Sequence, residues 1–544
     1  MACGLRLKWR IKAPPHSAPV IPTLARTTIL SIRYYWSKAS VMSSPVRIID
    51  TSYVNVPTTT KPPPEPIKLT SMEAIWVAFP VLQHVLLFED AGMPPFDAVL
   101  QSLKSSLAAR LANFAPLAGK LVHLKDTGDV AISCSPSDSV KFVVAESDTD
   151  VRRLASDEEH DLPVLKQLVP DVDMSELPTA VLAVQATRLE GGVAVGLTLH
   201  HAVADGRSFW TFVEAWAAAC RGEAPATTPT FDRSLIKLPG DEELARRIYR
   251  KLAPNLPLVT PPLPRVEGRA RFTCRTFTLG VADIQRLKRH IVHLGEADGT
   301  SLARSPSTFV AVAALAWTCF ARCRQFALDD DVLFHFLADV LARLDPPVDA
   351  GYFGVCLTRC LVMIPARELH GARALVAAAS AIQHEIRRMN GDPANAQNHL
   401  GPIIMDAWDR LMIVSGSPAF KAYDIADFGW GKPTRTVLQS RQEDNEERKR
   451  KTQQGDTDLT WKTSPTKRGK NHGRQPAKLH YLEECLQTPG ISQMQLNQPT
   501  AYKGFIYRWK PRSSTIRRAS LHSSEVGLYF IEFGSTYNKR SRPG

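Results

Sequence analysis

The clearest pattern along the chain is an alternating apolar run from Val193 to Leu199, which is followed at once by two histidines. Alternation with a period of two predicts a half-buried β-strand. A second apolar run, Ala180–Leu189, and the turn Glu190-Gly191-Gly192 predict the partner strand of a hairpin. If the strand continues in register, His201 lies on the same face as Val193 and Leu199.

Strand and helix patterns recur through the rest of the chain, which indicates an α/β fold. Apolar residues spaced three or four positions apart predict helices at Phe96–Leu111, after Gly206, and at Val281–Val292, Phe309–Cys319 and Ala372–Met389. Short apolar runs predict strands at Ile67–Thr70, Val81–Glu89, Val130–Ser133, Val140–Ala145 and Arg271–Leu279. A Pro-rich stretch with few periodic signals, 222–268, predicts a crossover that runs over the surface between two domains.

His201 is the main candidate for chemistry. A neutral imidazole at a strand end can take a proton near pH 7, because its ordinary pKa is about 6.5, and general-base catalysis uses such a group. A metal site is disfavoured, because no Cys/His set at ligand spacing lies near. His200 points to the opposite face and is interpreted as structural. Asp205 has an alternative role as a helix N-cap, with Ser208 three residues on.

A second motif lies far downstream and consists of Asp427, Phe428, Gly429, Trp430 and Gly431. Together with His201-Ala-Val-Ala-Asp205-Gly206 it makes the chain resemble the plant BAHD acyltransferase family, from about Met42 to about Lys432. The H-x-x-x-D-G half alone is also similar to peptide-synthetase condensation domains, which lack D-F-G-W-G. The family resemblance implies two α/β domains like chloramphenicol acetyltransferase, with the active site in a channel between them.

The resemblance also implies the reaction. Members move an acyl group from a coenzyme A thioester to an alcohol or amine, so acyl-CoA is expected as co-substrate, with no permanently bound cofactor and no metal. Gly351-Tyr-Phe-Gly-Val-Cys356 resembles the Y-F-G-N-C signature of the branch that acylates phenolic glycosides, with Val355 in place of Asn. That likeness implies a malonyl donor and a phenolic or flavonoid glycoside. A hydroxycinnamoyl-CoA-dependent O- or N-acyltransferase and a catalytically impaired homologue remain alternatives.

Roles for further residues come from the same resemblance. Ser307 and Thr308 are candidate coenzyme A contacts, although Ser and Pro before an apolar helix are also ordinary capping residues. Trp430 could donate its Nε1–H to the oxyanion, and the alternative, a packed aromatic side chain on a turn, is favoured.

Asp205 is expected to give structural support by pairing with an arginine of the second domain. The first Arg position of the family's R-x-R is Leu341 in this chain. Three outcomes follow: Arg343 replaces the missing partner, Asp205 accepts backbone N–H bonds as a helix cap, or the His201 loop is loose. We expect the loose loop.

The charge and composition divide the chain into segments. Of the net charge of +13, residues 1–49 carry +8 and 435–544 carry +11, so 50–434 is mildly acidic at −6. We therefore expect no nucleic-acid partner. The scattered cysteines indicate a reducing compartment, and no run of about 18 apolar residues suggests a membrane span. A cytoplasmic monomer with no membrane partner is expected.

The predicted domain boundaries are 42–221 for the domain with the histidine motif and 269–434 for the domain with D-F-G-W-G, which looks truncated. Residues 1–41 form a basic extension that is either transit-like or non-native. Residues 435–544 are expected to be a divergent basic tail. Its segment 439–476 has only Leu459 and Trp461 as apolar residues, which predicts disorder.

Overall fold

The computed structural model describes residues 45–156, 160–260, 271–297, 304–324, 326–394, 410–415, 417, 420–439, 500–510 and 530–537. Within these ranges the strands are β1 (Arg47–Asn55), β2 (Ile67–Lys68), β3 (Leu82–Glu89), β4 (Lys120–Leu124), β5 (Asp129–Ser133), β6 (Ser139–Asp150), β7 (Thr179–Ala180), β8 (Leu182–Glu190), β9 (Gly192–Leu199), β10 (Arg271–Gly280), β11 (Asp331–Asp339), β12 (Leu357–Pro365), β13 (Leu411–Ser415), β14 (Arg435–Gln439), β15 (Thr500–Lys510) and β16 (Phe530–Tyr537). The helices are α1 (Ser71–Ala74), α2 (Phe96–Leu111), α3 (Val151–Ala155), α4 (Leu162–Gln167), α5 (Gly206–Cys220), α6 (Asp241–Leu252), α7 (Val281–Ala297), α8 (Thr308–Arg324), α9 (Ala374–Gly391) and α10 (Ala422–Ile425).

The hairpin predicted around Glu190 lies inside a six-stranded sheet with the order β1-β6-β8-β9-β3-β14. Strands β8 and β9 pair antiparallel across their whole length, and β3 pairs antiparallel with β9 on the other side. Helices α2 and α5 cover one face of this sheet, while α3 and α4 cover the other. The predicted shared face of β9 is confirmed, because Val193, Val195, Leu197 and Leu199 all belong to the core under α2 and α5.

A second six-stranded sheet has the order β10-β15-β16-β13-β11-β12. Helices α7, α8 and α9 pack on it and bury a core of their own. A smaller four-stranded sheet, β2-β5-β4-β7, lies in the first half of the chain. All these elements belong to one compact unit, Ser44–Gly544. No helix of the described ranges is long and apolar enough to cross a bilayer.

The crossover segment 222–268 contains a helix, α6, where the sequence predicted a crossover with few periodic signals that runs over the surface. Ala245, Ile248 and Tyr249 are buried and pack into the first core, so that prediction is wrong for this helix. Seven charged side chains among twelve residues hide the short apolar stripe from a search for periodicity. Arg246 joins the helix to β5 through an ion pair with Asp129, with Nε 2.8 Å from Oδ1.

The segment after Thr434 also differs from the prediction, which was a truncated second domain followed by a divergent basic tail. Strand β14 adds to the first sheet beside β3, and β15 and β16 lie in the second sheet. Alternating aromatic residues in 500–510 are a strand pattern that the high basic charge obscured. The prediction for the extension at 1–41 lies outside the described residues. So does the predicted disorder of 439–476, except at Gln439, which ends β14.

Candidate active site

His201 lies two residues beyond the end of β9, in the loop between β9 and α5. The residue is only 9% exposed. Its Nδ1 lies 3.1 Å from the carbonyl oxygen of Ala204, and because a carbonyl only accepts, Nδ1 carries the proton. The ring stacks on Trp76, with centroids 3.8 Å apart and planes 20° apart. The tautomer therefore leaves Nε2 unprotonated and able to accept a proton.

Burial lowers the pKa of His201 to about 4. The imidazole is therefore neutral at pH 7, which is the state that a general base needs.

His200 was predicted to point away from the face of His201 and to be structural, and its hydrogen bonds fit that role. Its amide donates to the carbonyl of Val181 at 2.8 Å, and its Nδ1 accepts the amide N–H of Ala202 at 3.1 Å. Burial lowers its pKa to about 3. These bonds fix the end of β9, so His200 holds the turn that presents its neighbour, His201.

Asp205 is fully buried and joins the His201 loop to the second half of the chain. Its Oδ1 accepts the amide of Ser208 at 2.8 Å, which caps α5, and its Oδ2 accepts the amide of Cys356 at 3.2 Å. Its own amide donates to the carbonyl of Gly354 at 3.2 Å. The second of the three outcomes is therefore the one observed, extended by a bond across the two halves.

The expectation that Asp205 lacks a partner is consequently wrong. Leu341 is buried in the core of the second sheet, so it offers Asp205 no charge. Arg343 is exposed and donates to the carbonyl of Asp339, so it does not act as a substitute for the missing arginine. Two backbone N–H groups take the place of a guanidinium.

Glu73 and Arg233 form a buried ion pair on the other side of the site, which the sequence analysis missed. Arg233 Nη2 lies 2.7 Å from Glu73 Oε1, and the two side chains are 8% and 0% exposed. Burial raises the pKa of the Glu73 carboxyl, and the Arg233 guanidinium opposes that rise. The sequence signal for Glu73 is the spacing Thr70-x-x-Glu73, a capping box that starts α1. No local pattern indicates its pairing with Arg233.

The Tyr352–Cys356 turn binds both Glu73 and Asp205 through its backbone amides. Glu73 Oε1 accepts the amide of Val355 at 3.3 Å, next to the Cys356 amide that Asp205 binds. Gly354 must be glycine here, because a Cβ would lie 2.8 Å from Glu73 Oε1 and 2.7 Å from the Tyr352 hydroxyl. The resemblance to Y-F-G-N-C therefore marks a close-packed joint between the two halves.

The D-F-G-W-G motif forms a self-capped turn. Asp427 Oδ1 accepts the amides of Gly429 at 2.9 Å and Gly431 at 3.0 Å. Both glycines have positive φ, at 103° and 104°, a region that favours glycine. Phe428 is buried in the core, and Trp430 is half-buried and stacks on it with centroids 5.6 Å apart.

Trp430 does not lie near His201. Its ring contacts Phe88, with centroids 6.1 Å apart. Phe88 is six positions along β3 from Leu82, which pairs with Leu199 beside the His201 loop. Six strand residues span roughly 20 Å, so the structure gives no support to Trp430 as an oxyanion donor. The favoured alternative, an aromatic side chain packed on a turn, fits the geometry.

The remaining motif residues have structural contacts. Ser307 Oγ accepts the amide of Val310 at 3.2 Å, so it caps α8, which begins at Thr308. A coenzyme A contact by Ser307 or Thr308 stays a prediction. Gly206 opens α5, where a Cβ would lie 2.9 Å from the Phe420 ring. The described residues contain no group of three His, Cys, Asp or Glu side chains placed to hold a metal.

Comparison with known proteins places the chain in a family. A model described as "Transferase family" matches residues 46–460. Phenolic glucoside malonyltransferase 1 of Arabidopsis thaliana is 28% identical over 73% of this chain and 90% of its own length. BAHD acyltransferase DCR of the same plant is 32% identical over 67% of this chain and 78% of its own length.

The solved structure of vinorine synthase superposes with a TM-score of 0.53 at 20% identity and covers 73% of this chain and 89% of its own. This likeness confirms the expected fold class, an α/β fold like that of chloramphenicol acetyltransferase. The chain belongs to the BAHD acyltransferase family, whose enzymes transfer acyl groups from coenzyme A thioesters.

Proposed function

We propose that this protein transfers a malonyl group from malonyl-CoA to a hydroxyl of a phenolic or flavonoid glycoside, and that His201 is its general base. The observation that carries the proposal is the imidazole geometry. Nδ1–H is bonded to the Ala204 carbonyl and the ring is stacked on Trp76, so Nε2 is the nitrogen available to the acceptor. We also propose that the protein acts as a cytoplasmic monomer.

In this mechanism the acceptor hydroxyl donates its proton to His201 Nε2 while its oxygen attacks the thioester carbonyl carbon. The carbonyl π electrons move to oxygen and form a tetrahedral oxyanion. When the oxyanion collapses, the carbon–sulfur bond breaks and coenzyme A leaves as a thiolate. The imidazolium returns its proton to that sulfur, so His201 ends the cycle neutral. Asp205 acts only by holding the loop, since both of its oxygens are bonded to backbone amides.

The choice of substrates rests on relatives and on one motif. The relative that is 28% identical over 90% of its own length is a phenolic glucoside malonyltransferase by name. The Gly351–Cys356 segment, with its likeness to Y-F-G-N-C, points to the same branch. Hydroxycinnamoyl-CoA is the alternative donor, and an impaired homologue would bind these substrates without turnover.

The test measures thiol release from malonyl-CoA, p-coumaroyl-CoA and acetyl-CoA, with a phenolic glucoside as acceptor. We expect malonyl-CoA to give the highest kcat/KM. His201→Ala should lower kcat by about 10² or more and leave the acyl-CoA KM nearly unchanged, since it removes only the proton transfer. The matched control is His200→Ala, which should lower the melting temperature more than kcat. Equal and mild losses of kcat in both variants would remove His201 from the role.

A further inference from the structure

We propose that Trp76 is the positioning residue of His201, and that the buried Glu73–Arg233 ion pair anchors Trp76 through the short helix that joins them. The inference rests on the proposed role of His201 as base. It assigns functions to three side chains that lie outside both sequence motifs of the family.

The contact between the two rings is the first step. With centroids 3.8 Å apart and planes 20° apart, the indole of Trp76 covers one face of the His201 imidazole. The Ala204 carbonyl fixes the ring at Nδ1, but a single hydrogen bond still allows the imidazole to rotate about it. A flat surface against one face removes that freedom. The two contacts together determine the direction in which Nε2 points.

The anchoring of Trp76 is the second step. Glu73 lies in α1, and the chain continues without a break into a 3₁₀ turn, Ile75–Val77, that carries Trp76. Helical geometry places residues three apart on the same side, one turn from each other. Trp76 also packs edge-on against Phe79, with centroids 5.9 Å apart. A shift of the Glu73 carboxylate would therefore move the indole as well.

The third step is the set of hydrogen bonds that holds the Glu73–Arg233 ion pair in place. Glu73 Oε1 accepts from Arg233 Nη2 at 2.7 Å and Oε2 accepts from Arg233 Nε at 3.3 Å. Oε2 also accepts the Thr70 amide at 2.9 Å, and Oε1 accepts the Val355 amide at 3.3 Å. Arg233 Nη1 donates to the Phe353 carbonyl at 2.7 Å. This pair therefore binds the first half of the chain to the second.

The Tyr352–Cys356 turn therefore binds both the residue that carries Trp76 and the residue that holds the His201 loop. The Val355 amide binds Glu73, which carries Trp76, and the next amide, Cys356, binds Asp205, which carries the His201 loop. Successive N–H groups of a rigid turn cannot move independently. The relative position of the indole and the imidazole is therefore set by a single piece of backbone.

The test compares Trp76→Leu and Trp76→Phe with the parent enzyme. Trp76→Leu should lower kcat roughly 10- to 100-fold, because a misplacement of about 1 Å has a cost of that size. The KM for acyl-CoA should change little. Trp76→Phe keeps a flat ring and should recover most of kcat. Arg233→Met should resemble Trp76→Leu, since it leaves Glu73 without its anchor.

The pH profile gives a readout that a purely structural role would not move. His201 must be neutral to act, so activity is lost as the pH falls through its pKa, which burial holds at about 4. Trp76→Leu admits water to the ring, so the acid limb of kcat/KM should move up toward pH 6.5. The ionisable groups around the ring are His200 and Asp205 on its own segment and Glu73 with Arg233 beyond Trp76. All four stay in place in this variant.

A control and a second measurement keep the outcomes distinct. Arg388→Met breaks the ion pair with Glu385 on α9, a helix that packs on α7, α8 and β12, so it should lower the melting temperature without moving kcat or the acid limb. Nitrogen NMR of ¹⁵N-labelled His201 reports its tautomer and pKa whether or not turnover occurs. A parent enzyme inactive with every acyl-CoA would refute the proposed function alone. Unchanged ¹⁵N shifts, kcat and acid limb in Trp76→Leu would overturn the role of Trp76.

Discussion

Asp205 accepts two backbone N–H bonds at a position where the family resemblance implies an arginine partner. The carboxylate is fully buried, and each oxygen accepts one backbone N–H, from Ser208 and from Cys356. Hydrogen bonds from neutral donors to a buried carboxylate contribute about 1.5 to 3 kcal/mol each. Two such bonds therefore stabilise the loop about as well as one arginine, without the cost of burying a second charge.

Replacing Leu341 by Arg tests this interpretation directly. Sequence reasoning alone predicts a gain, because the change restores the family's arginine. The structure predicts a loss: Leu341 is 5% exposed within an apolar core, and Asp205 already has partners. We expect Leu341→Arg to lower the free energy of unfolding by about 2 kcal/mol or more, measured by urea denaturation, with no rise in kcat.

The matched control for that change is Leu341→Met, which conserves volume and should cost less than about 1.5 kcal/mol. A more stable and faster Leu341→Arg enzyme, whose gain disappears on adding Asp205→Asn, would show that Asp205 lacks a sufficient partner in the parent.

At the scale of elements, α5 separates the two sequence motifs. It starts at Gly206 beside the His201 loop, and its C-cap residue, Arg221, donates to the carbonyl of Asp427. Fifteen helical residues span about 22 Å, which agrees with the roughly 20 Å along β3. The D-F-G-W-G turn therefore lies at the end of α5 that is opposite to the His201 loop, and the chain continues from it into β14.

Trp430→Phe distinguishes packing from catalysis in this turn. No described residue accepts a hydrogen bond from Trp430 Nε1, so a phenyl ring should keep the stack on Phe428 and nearly all of kcat. Loss of an oxyanion donor would instead lower kcat by about 10² to 10³, and that result would restore the catalytic role. Asp427→Ala is the contrasting variant: it removes the acceptor of two turn amides and should lower the melting temperature.

The sequence was sufficient for elements with a regular apolar period and for motifs within one segment. Helix α2 is predicted to the residue because it buries a continuous stripe, and β9 to within one residue because its apolar run is unbroken. The prediction that β9 is half-buried is wrong, because all eight of its residues are buried. Helix α6 was missed because charge outweighs its three buried residues. The stacking of Trp76 on His201 was missed for a different reason: the two lie 125 positions apart, and only the pairing of β3 with β9 and the packing of α1 bring them together.

At the scale of the whole molecule, β14 connects the first sheet to the second through the side chain of Arg435. Arg435 of β14 is buried in the first sheet, where its Nε donates to the Ala155 carbonyl at 2.8 Å. Its Nη1 donates at 3.1 Å to Thr276 Oγ1 in β10 of the second sheet, and Thr276 Oγ1 lies 2.8 Å from His160 Nε2. Together with the Asp205 and Glu73 bonds, these contacts join the halves at more than one place, so we expect them to unfold together.

Buried histidines determine how this joint unfolding depends on pH. Burial lowers the pKa of His84, His200 and His335 to about 3, and that of His201 to about 4. In the unfolded chain the pKa of each histidine returns to about 6.5. Between those values the unfolded state binds more protons than the folded state, so stability falls as the pH is lowered. Above about pH 6.5 both states are neutral and this contribution vanishes.

We therefore expect the free energy of unfolding to fall below pH 6.5, before most carboxylates titrate. At pH 5.5 each of these histidines should cost about 1.4 kcal/mol, from the linkage of proton binding to unfolding. Urea denaturation from pH 8 to pH 5 measures the slope. His84→Phe is the informative variant, because it replaces a ring stacked on Phe209 at 4.3 Å with an apolar ring of similar shape and removes one titrating group. Its slope at pH 5.5 should be smaller by about one proton, or 1.4 kcal/mol per pH unit. A slope equal to the parent's would mean that His84 gains no protons on unfolding and is accessible to water in the folded enzyme.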